Sequence, residues 1–102
     1  MIARHWRGWT KATDADAYES FLRATVFPKL RGIPGYMGGY VLRTPERDEV
    51  EFLVINLFES LDAVKAFAGA QYTTPVIEPE ARRLLRRTDA TARHYDVRMD
   101  TT

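Results

Sequence analysis

The hydrophobic pattern is most decisive in the middle of the chain. Val50-Glu51-Phe52-Leu53-Val54-Ile55-Asn56-Leu57-Phe58 begins by alternating and then turns apolar at every position except Asn56, the signature of a strand covered on both faces. Ile2 to about Thr10, carrying Ile2, Trp6 and Trp9 without helix caps, predicts an earlier strand. Between them Tyr18, Phe21, Leu22, Thr25 and Val26 recur at spacings of three and four, the stripe of an amphipathic helix. Thr13 followed by Asp14, Asp16 and Glu19 supplies a cap and acids at that helix's positive end. Pro28, lacking an amide hydrogen, is expected to end or kink it near Phe27.

Ile33-Pro34-Gly35 is a turn signal, and Tyr36 to Arg43 a second strand in which Gly38-Gly39 marks a bulge or a close backbone approach. Pro45-Glu46-Arg47-Asp48 is a polar hairpin tip leading into the long strand. Ser60 caps a short helix with Leu61, Val64, Phe67 and Ala68 on one face, and Gly69 stops it. Ala70 to Ile77 is expected as an ordered loop, Glu78-Pro79-Glu80 as the start of a third short helix running to about Arg87, and Thr91 to Met99 as the last strand.

This order gives one domain over residues 1–102 of the α+β class: a ferredoxin-like βαββαβ antiparallel sheet with its helices on one face. The other face is left bare. Leu53, Ile55 and Leu57 point there, opposite Phe52, Val54, Asn56 and Phe58, and exposing each would forgo roughly 1.5–3 kcal/mol. The economical cover is the same surface of a second copy, so a two-fold homodimer is expected. A monomer with an exposed patch, or cover by the tail, is the alternative.

Composition narrows the function classes. A hydrophobic fraction of 45% and a charged fraction of 28% are ordinary for a globular chain. Fifteen basic residues against fourteen acidic ones create no field that attracts nucleic acid or an acidic membrane. The cluster Arg82-Arg83-Leu84-Leu85-Arg86-Arg87 follows Glu78 and Glu80 at pairing distance along a helix, which accounts for it as a solvated face. The absence of cysteine removes thiolate chemistry and disulfides, and two distant histidines make a metal site improbable. There is no phosphate-cradling glycine loop and no nucleophile elbow. Arg4 and Arg7 interrupt the start where a signal peptide needs an apolar run, and no stretch approaches the roughly 18 apolar residues of a membrane span, so a cytoplasmic protein is expected.

Three stretches, Pro28-Lys29-Leu30-Arg31-Gly32-Ile33-Pro34-Gly35-Tyr36-Met37-Gly38-Gly39, Asn56-Leu57-Phe58-Glu59-Ser60-Leu61-Asp62-Ala63-Val64 and Arg93-His94-Tyr95-Asp96-Val97, together resemble the dimeric α+β barrel superfamily, in particular its antibiotic-biosynthesis-monooxygenase-like branch. The resemblance spans nearly the whole chain. It implies a pocket between helices and sheet in each subunit, used by some members to oxidise polycyclic phenols with dioxygen and no cofactor, and by others to bind and degrade haem. The chain departs from the pattern at Phe58, where oxygenases of the group often carry tryptophan. It also lacks the first-strand asparagine and the histidine after the second helix that haem degraders use.

Two candidates carry chemistry. His94, able to titrate near neutral pH, could deprotonate a phenolic substrate so that its carbanion passes an electron to dioxygen; a structural histidine bonded across the sheet or in an interface is the alternative, and more so for His5. Asn56 could anchor a substrate oxygen, or its amide could be satisfied by backbone. Trp6, Phe58, Tyr72 and Tyr40 are candidate apolar walls, with ordinary core packing as the alternative. The expected function is a cofactor-independent monooxygenase acting on an aromatic or quinone-like molecule. The alternatives are a non-catalytic dimeric ligand-binding or stress-response module and, disfavoured by the departures, a haem-handling protein. Whether Asn56 and His94 share one cavity or lie on opposite faces decides the catalytic assignment.

Overall fold

The computed structural model describes residues 1–101. Its elements are β1 (Ile2–Lys11), α1 (Ala15–Phe21), a π-helical turn (Leu22–Val26), α2 (Phe27–Arg31), β2 (Tyr36–Glu46), β3 (Glu49–Phe58), α3 (Leu61–Ala68), α4 (Pro79–Leu84), β4 (Leu85–Thr88) and β5 (Arg93–Asp96). The sheet is antiparallel in the order β2-β3-β1-β4, and β5 shares the far edge of β1 with β4. The fold is α+β and ferredoxin-like, its final strand delivered in two pieces. No helix among the described residues is long and apolar enough to cross a membrane.

Of the two outcomes expected at Pro28, an end or a kink near Phe27, the helix does not end: it continues past the proline, and its hydrogen-bond ladder changes at Phe27. The turn before the proline widens to π geometry, with the amide of Phe27 donating to the carbonyl of Leu22. A proline costs most where it removes a bond from an intact helical ladder. Here the ladder has already changed register, so Pro28 falls in the first turn of α2, where its missing donor is least needed. Thr13 does not cap α1 either: the chain enters through a short 3₁₀ turn, Ala12–Asp14, and no side chain caps the helix. Ser60 does cap α3, its Oγ accepting from the Ala63 amide at 3.2 Å.

The arginine cluster divides between two elements. The third helix stops at Leu84, and Leu85–Thr88 joins the sheet. The Arg87 guanidinium lies over the Trp9 ring, 4.0 Å from its centre, and bonds Glu49 at 3.0 Å, while Arg86 reaches Asp48 at 3.1 Å. These cross-sheet partners are distant in sequence, so local spacing favoured a helix. Glu78 pairs with Lys29 at 3.0 Å and not along its own helix.

Strand parity divides the sheet cleanly. Ile2, Arg4, Trp6, Gly8 and Thr10 of β1 face the helices, opposite Phe58, Asn56, Val54, Phe52 and Val50 of β3. Two core clusters form there: Tyr18, Phe21, Leu22, Val50 and Phe52 at one end, and Leu30, Phe58, Ala63 and Val64 at the other. The rows Trp6–Val54 and Arg4–Asn56 lie between them. On the opposite face Tyr40, Ile55 and His5 form one cross-strand row, Leu42, Leu53 and Arg7 the next, and Leu57, Ala3 and Tyr95 a third. Tyr40, Leu42 and Tyr95 are 62%, 46% and 42% exposed.

Candidate functional site

A cavity occupies the gap between the two core clusters. Its floor is Arg4, Trp6, Val54 and Asn56; its roof is Tyr18, Phe21, Leu22, Val26 and Leu30, drawn from α1, the π turn and α2; Phe67 and the segment from Pro75 to Glu78 close the side. The space open to the centre of a water-sized sphere is about 80 Å³, against the roughly 10–15 Å³ that one water needs. Leu22 and Val26, at the two ends of the π turn, both reach this roof, so the widened helix lies directly over the gap.

Trp6 turns carbon to the cavity, because its indole N–H is already donated to the carbonyl of Asp89 at 3.2 Å. The ring lies back along the strand over Gly8, where an added Cβ would come within 3.1 Å of it. Asn56 is oriented from the other side. The Tyr36 hydroxyl donates to its Oδ1 at 3.0 Å, and the bulge between Tyr36 and Gly39 brings β2 so near that a Cβ on Gly39 would sit 2.6 Å from that oxygen. With Oδ1 engaged, the Asn56 amide nitrogen has no hydrogen-bond partner among the described residues and keeps some access to solvent, in a residue 7% exposed overall.

Arg4 is the unexpected member. It is 5% exposed, lies cross-strand from Asn56 on one side and His94 on the other, and takes part in none of the ion pairs among the described residues. Its Nη1 donates to the Tyr72 carbonyl and to His94 Nε2 at 2.9 Å, its Nη2 donates to the Thr74 carbonyl at 3.4 Å, and its guanidinium lies 5.6 Å from the centre of the Phe67 ring. Burial pulls its pKa down to about 10, which leaves it charged at neutral pH. Tyr18, 2% exposed, also lines the cavity, and its hydroxyl has no hydrogen-bond partner among the described residues; burial pushes that hydroxyl's pKa up, so it stays protonated.

Asn56 and His94 therefore lie on the same sheet face, with Arg4 between them. Asn56 and Trp6 line the cavity, and His94 does not. A guanidinium can only donate, so His94 Nε2 must accept from Arg4; in the neutral ring the proton is then on Nδ1, and no lone pair is free to take a substrate proton. Tyr72 packs edge-on against His94, ring centres 5.1 Å apart, behind Arg4. Phe58 is fully buried against Tyr36 and Phe67. Tyr40 points from the opposite face and His5 packs there against Tyr95. No cluster of acids and histidines that could hold a metal ion occurs among the described residues.

Arg4 and Tyr18 escaped the sequence reading. Arg4 was accessible from parity alone, since it sits two positions before Trp6 on the same strand face. Its charge drew attention only as an interruption of an apolar start. Tyr18 stands in the stripe of the amphipathic helix, and its spacing alone does not set its hydroxyl apart from the apolar neighbours.

Both histidines are held below the ordinary histidine pKa, His94 by burial and then by Arg4, His5 by burial and then by Arg93. The unfolded chain thus binds these protons more readily than the folded one, so stability is fully present above about pH 6.5 and is lost as the pH falls through the folded-state values. Protonation also sets an N–H of His94 against the donors of Arg4. The thermal midpoint is expected to drop between about pH 7 and about pH 5, and to drop less in His94→Gln, which keeps an acceptor for Arg4 but cannot titrate. Calorimetry across that range checks this; an equal drop in the variant contradicts it.

No family model and no curated protein matches the chain. Solved structures do. The haem-degrader MhuD of Mycobacterium tuberculosis, solved with two haems bound in its active site, superposes with a TM-score of 0.70 at 17% identity, covering 100% of both chains. SnoaB, a cofactor-independent oxygenase from Streptomyces nogalater, gives 0.64 at 18% identity over 98% of this chain and 96% of its own. The ActVA-Orf6 monooxygenase of Streptomyces coelicolor, in complex with nanaomycin D, gives 0.65 at 12% identity over 99% and 90%. At these identities the likeness is one of fold: the chain has the architecture of the antibiotic-biosynthesis-monooxygenase-like proteins.

Proposed function

We propose that the chain is a cofactor-independent oxygenase of an aromatic or quinone-like small molecule, with the cavity between sheet and helices as its site. The observation that carries this reading is the unpartnered amide nitrogen of Asn56 in a largely apolar cavity. Such a site would press a flat ring against Trp6, Val54 and Phe67 and hold one of its oxygens at Asn56. A substrate held as its anion can pass an electron to dioxygen directly, which is the chemistry that SnoaB's description as a cofactor-independent oxygenase makes relevant. Within this reading His94 positions Arg4, since its lone pair is engaged there.

That same engagement favours a second reading, a binding module that holds its ligand without turning it over. The haem reading, suggested by the likeness to MhuD, has less support, because neither histidine lines the cavity. Oxygen uptake with a panel of phenols and hydroxyquinones separates the readings. Turnover is expected, and Asn56→Ala is expected to lower it by roughly 10²–10³-fold, the scale of losing one oriented donor at a developing oxyanion. A ligand-induced rise in melting temperature without uptake would support the binding module, and a Soret shift on haem titration the haem reading.

We also propose that the open sheet face is covered by a second copy of the chain. Its three cross-strand rows place Tyr40, Leu42, Leu53, Ile55, Leu57 and Tyr95 together, a patch of the kind that marks a contact. Two-fold pairing would set each such row against an equally apolar one. Sedimentation is expected to give a dimer, and Ile55→Glu a folded monomer; a wild-type monomer at working concentration contradicts the pairing.

A further inference from the structure

The polar groups of the cavity have one chemical sense. Arg4 has five N–H donors, of which three are used by the carbonyls of Tyr72 and Thr74 and by His94 Nε2; the others have no partner among the described residues. Asn56 has Oδ1 occupied by Tyr36 and offers its N–H groups. The Tyr18 hydroxyl, kept protonated by burial, can donate as well. The one carboxylate on the wall, Glu78, is paired with Lys29 at 3.0 Å. A ligand here meets free donors and a full positive charge, and few free acceptors.

We propose that the cavity selects its ligand as an oxygen anion, an ionised phenol, enol or carboxylate on a flat apolar body, with Arg4 and Asn56 as the anion-recognising pair. This rests on the reading of the cavity as a ligand site, and it adds the charge state. A neutral molecule of the same shape would bury its ring equally well but leave Arg4 without a counter-charge. A cation would be repelled at short range in surroundings where water screens poorly. An anion supplies the counter-charge that none of the described residues gives Arg4, and its contact with the guanidinium is a charge-assisted hydrogen bond. The cross-strand register holds Arg4 and Asn56 as direct neighbours, so a single oxygen, or the two oxygens of a carboxylate, can meet both. The backbone carbonyls and His94 fix the guanidinium from behind, which limits the ordering that binding must supply.

Three probes of similar size test this: lawsone, a hydroxynaphthoquinone ionised at neutral pH; naphthoate, a carboxylate; and menadione, a neutral naphthoquinone. Titration by calorimetry is expected to show at least one anion binding about tenfold or more tighter than menadione, the scale of a charge-assisted contact. The anion preferred identifies the oxygen type. In Arg4→Met the preference is expected to vanish while menadione binding persists, and Arg4→Lys, which keeps the charge but loses the planar fork, is expected to retain part of it. Should the methionine variant not fold, the lysine variant and the wild-type comparison carry the test. Wild-type binding of menadione as tight as that of the tighter of the two anions, or an anion preference surviving in Arg4→Met, overturns the proposal while leaving the ligand site standing. Binding by none of the three overturns the ligand site itself, and the proposal with it.

Discussion

A lone buried guanidinium constrains the centre of this molecule. Removing a charge from water costs several kcal/mol even after a protein relaxes around it, and Arg4 meets that cost with two carbonyls, a histidine nitrogen and an aromatic face in place of a carboxylate. Each partner has consequences. The carbonyls of Tyr72 and Thr74 tie the loop after α3 onto the sheet. The bond to His94 sets that ring's tautomer and removes its lone pair from use. Among the described residues nothing gives Arg4 a negative charge, and the open space beside it is the cavity.

The cavity itself follows from how the helical layer is divided. One core cluster closes around Phe52 and the other around Phe58, leaving the two rows between them uncovered by close packing. The π turn spans this interval and Pro28 follows it, so one irregularity in the helix admits the proline and arches the chain over the gap. Beneath it, the β2 bulge lets Gly39 approach Asn56 closely while Tyr36 reaches the amide oxygen. The polar wall is thus set by three strands, β1, β2 and β3, and the apolar wall by the helices.

Much of the architecture was legible because it rests on local periodicity. The doubly apolar run of β3, the stripe of α1 and the Ser60 cap each announce themselves within a few residues. The arginine run did not, because its true partners, Trp9, Glu46 and Glu49, come from other strands, and spacing to Glu78 and Glu80 imitated a helix. Pro28 marked the irregularity near Phe27 but not its form, because a π turn is invisible to a pattern that assumes one helical period. At the site, Asn56 stood out as an interruption of an apolar strand, and parity placed it beside Trp6. Parity also placed Arg4 there, but the significance of a charge on that face depends on whether a partner folds over it, which a single sequence does not display. His94 was visible as a titratable group, whereas the direction of its lone pair depends on Arg4, ninety positions away.

In the proposed anion site Arg4 outweighs the low polarity of the cavity around it, and the charge of a bound phenol reports on that balance directly. An apolar enclosure alone raises a phenol's pKa, and a neighbouring cation lowers it. Spectrophotometric titration of a naphthol bound to the protein is expected to show ionisation about one pH unit or more below that of the free naphthol. Ionisation of the bound naphthol at or above the pH of the free one would contradict the account.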